Sequence, residues 1–233
     1  MKNTNEHPNK ERPILFSGAM IRAILSGTKT QTRRVIKPQP PDDKYKLCTC
    51  ISTTGDKRNE GKHHWALLAD NGYNVIDGNQ PYFSRPYGFS GDRLWVRENY
   101  STSNRIWDDD KAEVFRVQYL TGNTPLIYQA DGIPKSDVPI RWRPSIHMPR
   151  WASRITLLVK DVHVERVQDI TYEGMKAEGC LPLNNVGGER EVLQNKYWKP
   201  LWDSINAKRG FGWDTNPYVW CIAFEKVGHW RAS

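Results

Sequence analysis

Hydrophobic and polar positions near the start of the chain predict a strand, a helix and a second strand. Residues 13–16 form a short apolar run typical of a strand. Residues 18–26 have helical periodicity, with Ser17 as N-cap and Gly27 as the residue that ends the helix. The β-branched residues in 28–36 favour a second strand. The apolar face of the helix carries Met20, Ile21, Ile24 and Leu25.

Further along the chain, apolar residues alternate with polar ones over several short segments. This alternation predicts strands at 93–98, 114–120, 126–130 and 155–167. The turn at 121–123 would make the second and third of these strands partners. Residues 218–227 are apolar at both alternating positions, which predicts a strand in the middle of a sheet or barrel.

Two helices are predicted between the last two strands. Thr171 caps the first helix and Gly179 ends it, which places Glu178 at its last position. Because the negative end of a helix dipole disfavours a carboxylate, Glu178 needs a compensating partner or a function. The second helix covers about 189–206, and Pro200 should kink it or split it.

The remaining segments set the domain organisation. We expect residues 1–12 to be a disordered tail and residues 228–233 to be a second tail. Residues 38–90 look like an insertion with too few apolar residues for a core of its own, inside a single domain at 13–227. Because no regular strand–helix alternation is present, we predict an α+β fold, a mixed β-barrel decorated by helices.

A proline-interrupted loop at 139–154 combines arginines with tryptophans. Three prolines exclude a continuous helix or a central strand there. Basic and aromatic residues side by side are typical of surfaces that contact phosphates and bases. The alternative is that Trp142 and Trp151 pin a long crossover to the core.

Composition and charge limit the classes of molecule that the chain is expected to bind. The chain has 233 residues, 10 Trp and a formal net charge of +8, which favours a polyanion, RNA or DNA before membrane. No apolar run is long enough to span a bilayer, and the first residues are polar, so a cytoplasmic location is expected. No glycine-rich phosphate-binding loop of familiar spacing is present, and we expect no cofactor.

Two small groups of residues carry candidate chemistry. All six residues at 29–34 have cationic or donor-bearing side chains, which predicts contact with an anionic or carbonyl-bearing ligand. The four cysteines give no disulfide framework. Cys48 and Cys50 with His63 and His64 raise the question of zinc, but their spacing is narrower than that of usual structural sites, and we predict no metal.

Gly27-x-Lys29-x-x-x-x-Arg34, preceded by a short amphipathic helix, resembles the signature of the ASCH domain, a relative of the PUA fold. Residues 171–179 resemble the second ASCH helix. Residues 91–98 and 201–206 resemble phage and prophage-encoded members with large insertions. The resemblance implies a PUA-like β-barrel with a cleft for RNA or a modified nucleoside.

One branch of small bacterial ASCH proteins consists of N4-acetylcytidine amidohydrolases, which use a Lys, a Thr and a Glu. On this chain those residues fall on Lys29, Thr32 and Glu178. The common ASCH motif has Glu where this chain has Thr32, whereas the amidohydrolase branch also has Thr. The compact amidohydrolases lack the insertion and the loop at 139–154.

The resemblance implies roles for these residues. Thr32 would be the nucleophile or would position a water, Lys29 would act as base if burial and neighbouring arginines lower its pKa, and Glu178 would transfer the proton to the leaving nitrogen. Arg34 would neutralise a developing charge or a phosphate. Alternatively, Lys29 and Arg34 pair with Glu178 and Glu98 in a structural ion network.

Other polar residues are candidates for substrate binding. Trp95 would stack on a base, or else belong to the core, and Glu98 would accept from an exocyclic amine. The additional candidates are Arg97, Ser145, His147 and Arg150. The leading interpretation is an amidohydrolase of a modified nucleoside. The alternatives are a non-catalytic RNA- or DNA-binding module and a ribonuclease.

Overall fold

The computed structural model describes residues 9–49, 62–68, 74–75, 81–102, 126–132, 140–180 and 190–227. The strands are β1 (Glu11–Leu15), β2 (Gln31–Val35), β3 (Tyr45–Thr49), β4 (His63–Leu68), β5 (Asn74–Val75), β6 (Arg93–Arg97), β7 (Tyr100–Thr102), β8 (Leu126–Tyr128), β9 (Thr156–Arg166) and β10 (Tyr218–Val227). The helices are α1 (Gly18–Leu25), α2 (Tyr172–Ala177), α3 (Arg190–Leu193) and α4 (Lys199–Asn206), with a π-helical turn at Gln194–Trp198 between the last two.

The described elements form an α+β fold built on a five-stranded sheet. Its strand order is β1-β6-β9-β10-β2, with β1 and β6 parallel and the other neighbours antiparallel. The strands β3, β4 and β5 form a second sheet, and β7 pairs with β8. No helix in the described ranges is long and apolar enough to cross a membrane.

The two edge strands of the large sheet approach each other, although no ladder between them is present in the described part of the chain. Arg34 on β2 donates from Nη2 to the backbone oxygen of Leu15 at the end of β1, at 2.5 Å. The sheet is therefore strongly curled, and α1, which connects β1 to β2, lies where the edges meet. This curl brings side chains from both edges to one place.

The two faces of the sheet have different roles. Directly paired residues on neighbouring strands share a face. Thr32 and Arg34 pair with Ile222 and Trp220, so they lie on the inner face with the main core. Arg33 lies on the outer face, which the helices cover. The main core includes Ile14, Ile21, Leu94, Val96, Leu157, Val159, Trp220, Ile222 and Phe224, and the core under the helices includes Val167, Ile170, Met175, Trp198, Trp202, Trp213 and Val219.

Several elements match the sequence predictions. Helix α1 begins after Ser17, whose side chain accepts from the backbone N–H of Met20, and Gly27 has a left-handed φ of 78°. Strand β10 has the predicted bounds and lies between β9 and β2. The predicted helix α1 and the predicted central strand β10 are therefore confirmed.

Three further predictions have different outcomes. Strand β8 pairs with β7, and its predicted partner at 114–120 lies outside the described residues, so that pairing stays a prediction. The second helix is divided as predicted, because a π-helical turn interrupts it just before Pro200, which occupies the second position of α4. The predicted tail at 1–12 includes Glu11, which pairs with Arg93 in the sheet, whereas residues 1–8 and 228–233 are outside the described ranges.

The insertion at 38–90 contributes to the main core, as expected of a segment without a core of its own. Tyr45 on β3 and Trp65 on β4 are buried in the main core cluster. The indole Nε1 of Trp65 donates to the backbone oxygen of Pro38 at 2.9 Å. The described part of the insertion is therefore joined to the large sheet through aromatic side chains.

Candidate functional site

The ends of α1 and α2 meet at Lys29 and Glu178. Lys29 donates its backbone N–H to Ala23 at 3.0 Å and forms an isolated antiparallel bridge with Glu178. Gly179, with a φ of 86°, permits this approach. A Cβ at that glycine would lie 3.3 Å from the Cβ of Ala23 and 3.4 Å from that of Lys29. Two glycines with left-handed φ angles, Gly27 and Gly179, thus bring the segments that follow α1 and α2 together.

Lys29 and Glu178 form a buried ion pair. The ammonium Nζ of Lys29 contacts Oε2 of Glu178 and also donates to the Glu178 backbone oxygen at 2.9 Å. The two side chains are 0% and 2% exposed. The cation of Lys29 compensates the carboxylate at the unfavourable end of α2. Lys29 is therefore the cation that compensates Glu178 at the end of α2.

Arg33 shares the Glu178 carboxylate from the outer face of the sheet. Its Nη1 donates to Oε1 of Glu178 at 3.3 Å, and its Nε donates to Oε1 of Glu165 at 2.5 Å. Burial alone would lower the pKa of Arg33, but Glu178, Cys221 and Glu165 together raise it above its ordinary value. The guanidinium therefore stays charged and holds one oxygen of Glu178 while Lys29 holds the other.

Beyond Arg33, a polar chain leads to the surface of β9 and β10. His163, Glu165 and Cys221 have ligand-type atoms within 4.8 Å of one another, the one such group of three among the described residues. The ring Nδ1 of His163 lies 2.6 Å from Oδ2 of Asp161. Burial raises the pKa of Cys221 to about 12, and Arg33 already occupies Glu165. The cluster therefore extends the ion network of Glu178.

Beside this pair lies a cleft of about 260 Å³. Thr32, which is 2% exposed, and Glu178 both contribute to its wall. Aromatic rings, aliphatic side chains and guanidinium groups form the rest. The lining residues are Leu15, Met20, Thr32, Arg33, Arg34, Val35, Tyr87, Glu178, Trp198, Leu201, Trp202, Ile205, Asn206 and Arg209. The cleft thus combines one carboxylate with three guanidinium groups.

Two donors in the wall of the cleft have no acceptor in the described part of the chain. The Nε of Arg34 and the Nε1 of Trp198 are both buried without a hydrogen-bond partner. Arg34 lies with Cζ 5.0 Å from the ring centroid of Phe16. Burial lowers the pKa of Arg34, and the like charge of Arg209 adds to the shift. Buried donors are usually paired, so these two indicate a ligand that offers acceptors.

The structure separates the predicted site residues into two groups. Thr32, Arg34 and Glu178 line the cleft, and Lys29 is linked to it through its ion pair with Glu178, whereas Trp95, Arg97, Glu98, Ser145, His147 and Arg150 do not line it. Trp95 and Glu98 therefore lie apart from this cleft. Likewise, neither Arg34 nor Glu98 belongs to the ion network of Lys29.

On β6, away from the cleft, the side chains of Trp95 and Arg97 pack on each other. Trp95 is 8% exposed, and Cζ of Arg97 lies 4.7 Å from its ring centroid. Glu98 accepts from Nε and Nη2 of Arg154 at 2.9 and 3.0 Å, and Arg154 also reaches Asp131. Burial raises the pKa of Glu98 even though Arg154 opposes the shift. The Trp95–Arg97 contact and the Glu98–Arg154 ion pair therefore both stabilise the packing around β6.

The loop that follows residue 139 is seated against β1 and β6. The backbone N–H of Ser145 donates to Oδ1 of Asn99 at 2.8 Å, and Nε of Arg150 donates to Oε2 of Glu11 at 2.8 Å. His147 is exposed in a 3-10 turn. Trp151 is 69% exposed, so the interpretation that it pins the loop to the core was wrong.

The zinc question concerned a cluster in the insertion. His63 and His64 are neighbours on β4, so their side chains point to opposite faces. Only His64 pairs with Cys48, and Cys50 lies outside the described residues. Burial, with smaller contributions from Arg85 and His64, lowers the pKa of His63 to about 4. The His63 ring is therefore a neutral packing group against Trp220, at 5.4 Å between ring centroids.

Sequence reasoning missed most of the cleft wall. Trp198 and Trp202 have helical spacing and were assigned to a buried face, which does not distinguish a core from the wall of a cleft. Tyr87 lies in the insertion, and Arg209 follows α4 with no pattern around it. Comparison with models of protein families, with curated proteins and with solved structures found no match to this chain.

Proposed function

We propose that this protein is an ASCH-type amidohydrolase that removes the acyl group from an N-acylated or similarly modified nucleobase, as in N4-acetylcytidine. One observation carries the proposal. Lys29 and Glu178 form a buried ion pair beside a cleft whose wall includes Thr32. These are the positions that the resemblance assigns to the reaction, and they come from segments almost 150 residues apart.

The chemistry follows from the residues around the cleft. Thr32 supplies a hydroxyl that attacks the acyl carbon or positions the attacking water. Glu178 accepts the proton of the attacking group and passes it to the departing nitrogen, while Lys29 holds its Oε2. Water adds to the acyl carbon, the C–N bond breaks, and the products are a carboxylate and the free amine. Arg33 keeps Glu178 in place.

Electrostatics of the cleft support the same substrate class. Arg33 and Arg34 follow Thr32 on β2 and make this part of the wall positive, which would stabilise an oxyanion at the acyl carbon. Tyr87, Trp198 and other apolar side chains offer flat surfaces to a base. The curled sheet, with β1 and β2 brought together by Arg34 and Leu15, is consistent with a PUA-like barrel.

The test is incubation of the purified protein with N4-acetylcytidine, with mass spectrometry of the nucleoside products. We expect cytidine and acetate to appear, and Thr32→Val and Glu178→Gln to lower kcat by at least about a hundredfold. The matched controls are Thr30→Val, on the exposed side of the same segment, and Glu173→Gln, an exposed carboxylate on α2. Equal loss in a variant and its control would contradict the assigned roles.

A second candidate function is a non-catalytic binding module for a modified nucleoside or for RNA. The observation that favours it is that Lys29 and Glu178 satisfy each other, with side chains almost fully buried. A structural pair would hold α1 and α2 together while the cleft binds a base. Saturable binding of N4-acetylcytidine, without turnover over many hours at high enzyme concentration, would select this function.

A further inference from the structure

The cations at one part of the cleft lack counterions. Arg33 is neutralised by Glu178 and Glu165. By contrast, Arg34 and Arg209 form no ion pair with a carboxylate in the described part of the chain. They are close enough for the charge of Arg209 to disfavour that of Arg34. Glu178 lines the same cleft and attracts Arg34, but Lys29 and Arg33 already hold its carboxylate, so the two guanidinium groups favour an anionic ligand.

The unpaired donors lie in the same wall. Arg34 places Nη2 on the Leu15 backbone oxygen, yet its Nε has no acceptor. Trp198 is 3% exposed, and its Nε1 also lacks an acceptor. A buried donor without a partner costs about 1–3 kcal/mol, so a ligand that supplies oxygen acceptors gains at both positions. An apolar or cationic ligand would leave the donors unpaired.

The rest of the wall is suited to an attached ring system. Tyr87, Trp198 and Trp202 are aromatic, and Leu201 and Ile205 add aliphatic surface. The volume of about 260 Å³ lies near the lower end of small-ligand cavities, roughly 300 Å³, which suits one small molecule. Aromatic surface, two unpaired guanidinium groups and this size together describe a single nucleotide.

We propose that the cleft binds a nucleoside monophosphate, with Arg34 and Arg209 on the phosphate and the aromatic wall on the base. This proposal rests on the proposed function for the identity of the nucleoside. The phosphate part rests on the unpaired cations themselves. It specifies the substrate as a modified nucleotide and assigns Arg209, which no sequence motif indicated, to phosphate recognition.

Calorimetric titration with cytidine, cytidine 5′-monophosphate and inorganic phosphate tests the inference. We expect the monophosphate to bind at least about tenfold more tightly than cytidine, because hydrogen bonds between guanidinium and phosphate are charge-assisted. Arg209→Ala should remove this advantage and leave cytidine binding unchanged. The matched control is Lys208→Ala, since Lys208 is the adjacent exposed cation and does not line the cleft.

Several outcomes would overturn the proposal. One is equal affinity for cytidine and its monophosphate, and another is equal loss in Arg209→Ala and Lys208→Ala. If inorganic phosphate binds as tightly as the monophosphate, the ring part is not recognised. If an oligocytidylate without terminal phosphate competes more strongly than the monophosphate, the ligand is a strand. Arg209→Glu, at an exposed position, provides a second variant with the opposite charge.

The failure of this inference can be told apart from failure of the proposed function. Hydrolysis of N4-acetylcytidine and of its 5′-monophosphate with equal kcat/KM, unaffected by Arg209→Ala, would retain the amidohydrolase and reject the phosphate site. Binding of the monophosphate that depends on Arg209, without hydrolysis of either acetylated compound, would retain the phosphate site and reject the amidohydrolase.

Discussion

Arg33 donates from Nε to Oε1 of Glu165 at 2.5 Å, and its Nη1 donates to Oε1 of Glu178. The contact with Glu165 therefore orients the guanidinium that reaches Glu178. Gly174 on α2 leaves room for it, because a Cβ there would lie 2.9 Å from Nη2 of Arg33. The Glu178 carboxylate is therefore held from two sides. Lys29 approaches one oxygen, and Arg33 approaches the other.

The first prediction concerns Glu165→Gln. The change removes the charge partner on the outer face while the Arg33 side chain stays 3% exposed. We expect the free energy of unfolding to fall by about 1–3 kcal/mol, since hydrogen bonds to charged groups contribute roughly that much. Urea unfolding measures the change. Glu225→Gln, which alters an exposed pair with Lys160, is the control and should have no measurable effect.

A second prediction concerns the pair of Lys29 and Glu178. Lys29→Met leaves a buried carboxylate without its closest cation, and we expect a loss of about 3–5 kcal/mol. Adding Glu178→Met should recover part of the loss, because two apolar side chains then replace the pair. A double-mutant cycle from urea unfolding gives the coupling energy. Additive effects of the two changes would contradict a direct buried pair.

The third prediction compares two left-handed glycines. Gly179 has a φ of 86° with side chains of Ala23 and Lys29 close by, whereas Gly210 has a φ of 81° and nothing within 4 Å of an added Cβ. Replacement of either glycine by alanine places a Cβ in the left-handed region, which lowers the free energy of unfolding by about 1–2 kcal/mol. Only Gly179→Ala should incur a steric cost as well. We expect it to lower the thermal unfolding midpoint further than Gly210→Ala.

The same glycine shows what the sequence could predict. Gly27 and Gly179 were recognised as helix ends, and the position of Glu178 at an unfavourable end indicated a nearby cation. Local pattern thus predicted that Glu178 needs a partner or a function, and the family resemblance named Lys29 beside it. It also predicted α1 from helical periodicity over eight residues and β10 from a largely apolar run of ten.

The rest of the site depends on packing between distant segments. Alternation on β6 placed Trp95 and Arg97 on one face, but it contains no information about what covers that face. Arg97 covers Trp95 and reaches the backbone oxygen of Ile146, so this face is not part of the cleft. Conversely, Arg209 enters the cleft wall only because α4 packs beside β2, which no local pattern predicts.

The last prediction is a pH dependence that arises at His63. Burial lowers the pKa of its ring to about 4 in the folded state, from about 6.5 in the unfolded chain. Below pH 6.5 the unfolded state therefore binds a proton that the folded state does not, so stability falls as the pH decreases towards 4. We expect the wild type to lose up to about 3 kcal/mol relative to His63→Gln across this range, because each pKa unit corresponds to about 1.4 kcal/mol.

Urea unfolding of both proteins at several pH values between 7 and 4 measures this difference in the free energy of unfolding. His147→Gln is the matched control, because His147 is exposed in a 3-10 turn. Its stability should follow that of the wild type through the same range. A constant difference between wild type and His63→Gln from pH 7 to 4 would show that the ring titrates alike in both states.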